Sequence, residues 1–172
     1  MAAIAIIGHG VVGSGTVELF EKNKASIEKK IGRKVEIKRI LDIRDFSDSP
    51  YAEKFTKNFD DILNDSEIEV VAEVVGGKTF AYEYTKKLLL NGKSVVTSNK
   101  ELVATHGAEL LAIAKEKGVN YLFEASVGGG IPIIRPLNYS LTAEEIDAIT
   151  GILNGTTNYI LTKMEKEGAD FE

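Results

Sequence analysis

The sequence predicts an α/β protein built on a parallel sheet with helices on both faces. Three observations carry that prediction. Short apolar runs alternate with longer stretches of helical periodicity, which is the pattern of successive βαβ units. The first run, Ala3–Ile7, is continuously apolar rather than alternating, as expected of a strand buried on both faces. A glycine-rich turn, Gly8-His9-Gly10-Val11-Val12-Gly13, follows that run directly and opens a helical stretch.

The helix after the turn should run from Val11 to Ile31, with Val12, Leu19, Phe20, Ile27 and Ile31 at helical spacing and Gly32 at the cap. Val35–Ile43 reads as the second strand, and its Lys38 and Arg39 suggest a more exposed position. Residues 44–58 are polar and irregular, and Phe59–Asn64 is a short helix. Val70–Val75 is the third strand, Thr79–Asn91 a helix and Ser94–Thr97 the fourth strand. A helix over Ala108–Lys117 follows, with His106 just ahead of it as a capping or packing residue. Val119–Glu124 is the fifth strand, and it ends at the run Gly128–Gly130. Thr142–Glu145 fits a capping box that opens only a turn, because Asp147–Leu153 reads as a strand. Thr156–Glu167 is the last helix.

Composition narrows the function. With 172 residues, one domain is expected with room for little else. A net charge of −5 argues against nucleic acid and acidic membranes as partners. No apolar run approaches the roughly 18 residues that span a bilayer. The absence of cysteine excludes thioester chemistry and thiolate metal sites within this chain, and fits a cytoplasmic location.

The Gly8–Gly13 turn has the spacing and context of a Rossmann-type dinucleotide site. Gly8 permits the tight turn, Gly10 lets the backbone approach a pyrophosphate, and Gly13 allows close helix–strand packing. Val11, Val12 and Gly13 then offer free N–H groups at the positive end of the helix. His9 sits at the variable position and reads as a loop residue near phosphate rather than a catalyst. The ribose should meet the end of the second strand. There Asp42 favours NAD through the ribose hydroxyls, and Arg44 favours NADP through its extra phosphate. The two point in opposite directions, with the balance leaning to NADP and a relaxed preference.

Four further segments carry a family resemblance: VVAEVVGG at 70–77, SVVTSNKELVATHG at 94–107, FEASVGGGIP at 123–132 and GILNGTTNYIL at 151–161. In this order and spacing the chain resembles homoserine dehydrogenase over nearly its whole length. That resemblance implies NAD(P)-dependent hydride transfer between L-aspartate 4-semialdehyde and L-homoserine, on the route to threonine and methionine. It implies a nucleotide-binding domain over 1–130 and the beginning of an incomplete α+β substrate and dimerisation domain over 131–172. Lys100 matches the family lysine beside the nicotinamide, where it would polarise a carbonyl or relay a proton. Ser98 and Asn99 match residues around the cofactor, and Gly76 and Gly77 let the backbone pass close to it. Glu124, Val127, Gly129 and Ile131 resemble a loop that holds a sodium ion, mainly through backbone carbonyls. Asn154, Thr156 and Thr157 are candidates for the substrate pocket, although Thr156 and Thr157 equally suit a helix start.

The family's proton-donor segment lies downstream of GTTNYIL, and nothing after Thr162 resembles it. The expectation is therefore a fragment that binds NAD(P) with negligible turnover, from an enzyme that is a homodimer when full-length. The competing reading is a non-catalytic NAD(P)-binding sensor, which accounts for Gly8–Gly13 but leaves Lys100 and the Glu124–Ile131 loop without a role.

Overall fold

A computed structural model describes residues 1–152 and 154–171. Six parallel strands form one sheet: β1 (Ala2–Ile7), β2 (Val35–Leu41), β3 (Phe55–Thr56), β4 (Ile68–Glu73), β5 (Ser94–Thr97) and β6 (Tyr121–Leu122). Their order is β3-β2-β1-β4-β5-β6, which is the doubly wound arrangement. The order reverses between β1 and β4, and in such sheets ligands bind at the carboxyl ends of the strands beside that reversal.

Successive side chains of a strand point to opposite faces, so β1 feeds two cores. Ala3, Ala5 and Ile7 pack with Leu88, Leu89, Leu102 and Leu110 on one face, while Ile6 packs with Val17, Ile37 and Ile40 on the other. The first face is covered by α2 (Asp60–Leu63), α3 (Thr79–Leu90) and α4 (Lys100–Lys117), and the second by α1 (Val11–Ile31). Complete burial of each Leu or Ile contributes about 1.5–3 kcal/mol. No described helix is long and apolar enough to cross a membrane.

Several expectations are corrected. The buried face of α1 is Gly13 and Val17, with Phe20 and Ile27 half-buried, whereas Val12, Leu19 and Ile31 are exposed. Contact of Gly13 with the β1 and β4 ends fixes the rotation of the helix, and the residues four and seven positions on follow it to the sheet. β2 is an internal strand. The edge belongs to β3, which pairs with Ile40 and Leu41. Lys38 tolerates its position by pairing with Asp65 and Glu67. α4 begins at Lys100, eight residues before the expected start, because the Asn99 side chain caps it by accepting from Leu102 N at 3.0 Å. His106 therefore lies within α4, its ring stacked on Tyr82 at 4.0 Å.

The chain divides into two compact units, Met1–Ser126 and Val127–Glu172. In the second, residues 136–140 form a single wide helical turn and α5 spans Gly155–Glu167. The expected strand over 147–153 is not formed at 147–152, where the chain is irregular and exposed; Leu153 lies outside the described residues. A strand needs a neighbour to satisfy its backbone groups, and none of the described strands lies in this unit.

Candidate cofactor site

Three loops at the carboxyl ends of β1, β4 and β5 meet beside the order reversal. The first is the Gly8–Gly13 turn. A Cβ at Gly13 would lie 2.0 Å from the carbonyl oxygen of Gly8, so only glycine brings α1 this close to β1. Gly8 has φ +95°, and a side chain there would press on the Val74 backbone at 3.1 Å. Gly10 differs, since a Cβ there would meet nothing within 4 Å. The open space at Gly10 leaves room for a group outside the protein. Gly10 is the N-cap of α1 and supplies no side-chain cap, and no acidic residue occupies the first turn. The leading N–H groups of α1 thus face outward at its positive end, where a phosphate suits them. Val11 and Val12 flank this opening and are exposed.

At the end of β2, Asp42 and Arg44 bind each other. Asp42 Oδ1 accepts from Arg44 N at 3.0 Å and Nε at 2.9 Å, while Oδ2 accepts from an Arg44 terminal nitrogen and from His9 N, both at 2.8 Å. The Asp42 side chain is 8% exposed and that of Arg44 56%. The Arg44 guanidinium holds the Asp42 carboxyl well below the usual carboxylate range. The two residues expected to read the ribose thus already hold each other.

His9 takes an aromatic seat, edge-on to Phe46 and Phe55 at 4.9 Å each. Burial pushes its imidazole down, and Nδ1 is buried without a hydrogen bond among the described residues. Both ring partners come from the region that reads as irregular in sequence, which offers no signal for this seat.

The second and third loops are tied together. Asn99 Nδ2 donates to Gly77 O at 2.6 Å and to Val75 O at 3.3 Å. Gly76 and Gly77 are exposed, Ser98 is half-buried, and Lys100 stands exposed as the first residue of α4. Behind them is a residue that the motif reading missed. Glu73, at the end of β4, is fully buried and accepts from Thr97 Oγ1 at 2.6 Å and from Val75 N at 2.9 Å. Its signal in the sequence is the single charge inside the apolar run VVAEVV.

The residues expected around a cation fall in different units. Glu124 begins a single tight helical turn, Glu124–Ser126, that closes the first unit. Val127, Gly129 and Ile131 belong to the second, where Ile131 N donates to Gly128 O at 3.0 Å and Gly128 and Gly129 are left-handed, φ 72° and 60°. Such a turn aims successive carbonyls in different directions, and oxygen donors suit a hard monovalent cation. Asn154 serves as N-cap of α5, accepting from Thr157 N at 3.0 Å. Thr156 and Thr157 are exposed in the first turn of that helix. A depression of about 570 Å³, lined by residues such as Asn64, Glu69 and Ser94, lies at the opposite, amino-terminal edge of the sheet and contains none of these residues.

The family model described as "Homoserine dehydrogenase, NAD binding domain" matches residues 8–124, and one described as "Homoserine dehydrogenase" matches 132–172. A homoserine dehydrogenase of Pseudomonas aeruginosa is 42% identical over 98% of this chain and 39% of its own length. The crystal structure of a homoserine dehydrogenase from Thiobacillus denitrificans superposes with a TM-score of 0.87 at 40% identity, covering 98% of this chain and 39% of that one. A hyperthermophilic archaeal homoserine dehydrogenase in complex with NADPH superposes with a TM-score of 0.81 at 28% identity, covering 98% of this chain and 57% of that one. The chain therefore spans about two fifths of the length of the curated relatives it matches.

Proposed function

This chain belongs to the homoserine dehydrogenase family, and from that membership we propose that it is the cofactor-binding part of an NAD(P)-dependent oxidoreductase. The reaction interconverts L-aspartate 4-semialdehyde and L-homoserine, serving threonine and methionine synthesis in the cytoplasm. The observation that carries the cofactor reading is the glycine turn. Gly8 and Gly13 are required by the chain's own packing, whereas Gly10 faces open space at an uncapped helix start. That combination fits a dinucleotide's pyrophosphate.

The remaining roles are assigned from the family resemblance. The N–H groups of Val11, Val12 and Gly13 hold phosphate, and Asp42 and Arg44 meet the adenosine ribose. A ribose hydroxyl must displace an Arg44 donor from Asp42, and an added phosphate must draw Arg44 away. Both cofactors disturb the same pair, which supports a relaxed preference leaning to NADP. Gly76, Gly77, Ser98 and Asn99 frame the nicotinamide, which supplies the hydride when bound. Lys100 places a positive charge at the mouth of the site, to polarise the carbonyl oxygen or relay its proton. On the family resemblance alone, Glu124, Val127, Gly129 and Ile131 are assigned to a sodium ion, and Asn154, Thr156 and Thr157 to the substrate pocket of a homodimeric enzyme.

Titration with NADPH and NADH, followed by nicotinamide fluorescence, tests the reading. Saturable binding of both is expected, with Arg44→Ala weakening NADPH and Asp42→Ala weakening NADH. Failure of the chain to bind either would overturn the proposal. The 172 residues alone should oxidise homoserine at a negligible rate, as they span two fifths of their relatives' length.

A further inference from the structure

Glu73 occupies a costly position. It is fully buried, and among the described residues no cation pairs with it. A buried carboxylate without a counter-charge is unfavourable unless hydrogen bonds compensate, and a hydrophobic residue of similar size would suit the sheet better. Burial pushes its carboxyl up. Its place is equally particular. Glu73 is the last residue of β4, in register with Ile7 of β1 on one side and Thr97 of β5 on the other. It thus sits directly beneath the point where the strand order reverses.

Its two oxygens reach both loops that frame the nicotinamide end. Oε1 accepts from Val75 N at 2.9 Å, anchoring the chain that leads to Gly76 and Gly77. Oε2 accepts from Thr97 Oγ1 at 2.6 Å, and that hydroxyl accepts from Asn99 N at 2.9 Å. Asn99 then caps α4 and donates to Gly77 O at 2.6 Å. The circuit closes: one carboxylate fixes the β4 loop directly and, through Thr97 and Asn99, both the same loop from its far side and the start of the helix that carries Lys100.

We propose that Glu73 is a positioning residue that, with Thr97, holds the Val75–Gly77 loop and the Asn99–Lys100 turn in the shape that receives the nicotinamide half of the cofactor. This rests on the cofactor reading above. Hydrogen bonds to a charged group are among the stronger ones, and leaving a buried partner unpaired forfeits more than the bond itself. Glu73→Gln keeps the size of the side chain but removes its charge and one acceptor: its NH2 either faces the Val75 N–H, donor against donor, or reverses the hydrogen bond with Thr97 Oγ1, whose own proton then loses its acceptor. Thr97→Val removes the hydroxyl and keeps the shape, while Thr97→Ser restores the hydroxyl.

The test compares the affinity of NADPH with that of 2′,5′-ADP, which carries only the adenosine half, alongside melting temperatures. Glu73→Gln and Thr97→Val should weaken NADPH about tenfold, a modest loss for a charge-assisted hydrogen bond. They should leave 2′,5′-ADP within about twofold, and Thr97→Ser should recover NADPH binding to within a similar margin. Affinities for both ligands that fall together, affinities that do not change, or variants that lose their fold would assign the network to general stability and overturn the proposal. If the unsubstituted chain itself fails to bind NADPH, the cofactor reading fails instead, and the two outcomes are distinct.

Discussion

Gly10 and Gly13 stand three residues apart in one turn, yet they are glycines for different reasons. A methyl at Gly13 would overlap the Gly8 carbonyl at 2.0 Å, while a methyl at Gly10 would point into open space. Gly13→Ala should therefore cost stability, about 1–3 kcal/mol as an overpacked contact, and cofactor affinity with it. Gly10→Ala should leave the melting temperature unchanged and weaken NADPH binding at least tenfold; equal melting losses for both variants would contradict this. Asp42 gives a pH prediction. Its folded pKa lies below the ordinary value of 3.8, so its contribution to stability is present above that value and is lost as pH falls through the folded one. Asp42→Asn should melt lower than the parent at pH 7, with the gap closing below about pH 4. Parallel melting curves across that range would refute it. At this scale the turn was legible because its chemistry is local, three glycines at fixed spacing. Asp42 and Arg44 were legible as residues but not as a pair, since a sequence shows two opposing preferences and not that each occupies the other. Glu73 was overlooked because its function depends on strands that are distant in sequence.

Elements were legible in proportion to how much of their own stabilisation they carry. α1 ends at Ile31 with Gly32 as its cap and β5 spans Ser94–Thr97, both as expected, since caps and apolar runs mark them locally. β3 has two residues, too few to show a period, and exists through its pairing with β2. The start of α4 was hidden by Thr105-His106-Gly107, which reads as the opening of a helix at Ala108. In the structure Gly107 is buried and His106 stacks on Tyr82, so packing of α3 on α4 carries the helix through it. Lys93, buried ahead of β5, donates to the carbonyls of Asp65 and Ile68 at 2.5 and 2.9 Å and fastens the entry of β4. Lys93→Met should remove both hydrogen bonds, leaving Asp65 O with the Ile68 N–H at 3.2 Å, and cost about 1–3 kcal/mol, read from denaturant midpoints. In α5, loss of the Asn154 cap by Asn154→Ala should cost about 0.5–2 kcal/mol of local stability. Amide exchange across 155–167 should then quicken while β1 and β4 stay unchanged, and unaltered exchange in α5 would count against the cap.

The distribution of burial separates the molecule more sharply than its sequence does. Composition shows no shift near residue 126, and apolar residues such as Ile146, Ile149 and Ile152 continue beyond it. Yet every fully buried residue among those described lies between Ala2 and Tyr121, and the second unit has none. Apolar content alone does not make a core; it must be enclosed by a sheet or a second layer, and 127–152 contains neither. Protection against amide exchange follows enclosure and backbone pairing, so the two units should exchange on different scales. Peptides covering β1, β4 and β5 should exchange only through global opening of the first unit. Peptides over 141–152 should exchange close to the unprotected rate, with α5 between them. Added NADPH should slow exchange in Gly8–Gly13 and Val75–Lys100, because a ligand that binds only the folded form suppresses its opening. Protection at 141–152 equal to that of β4 in the free chain would show a core that the burial pattern does not contain.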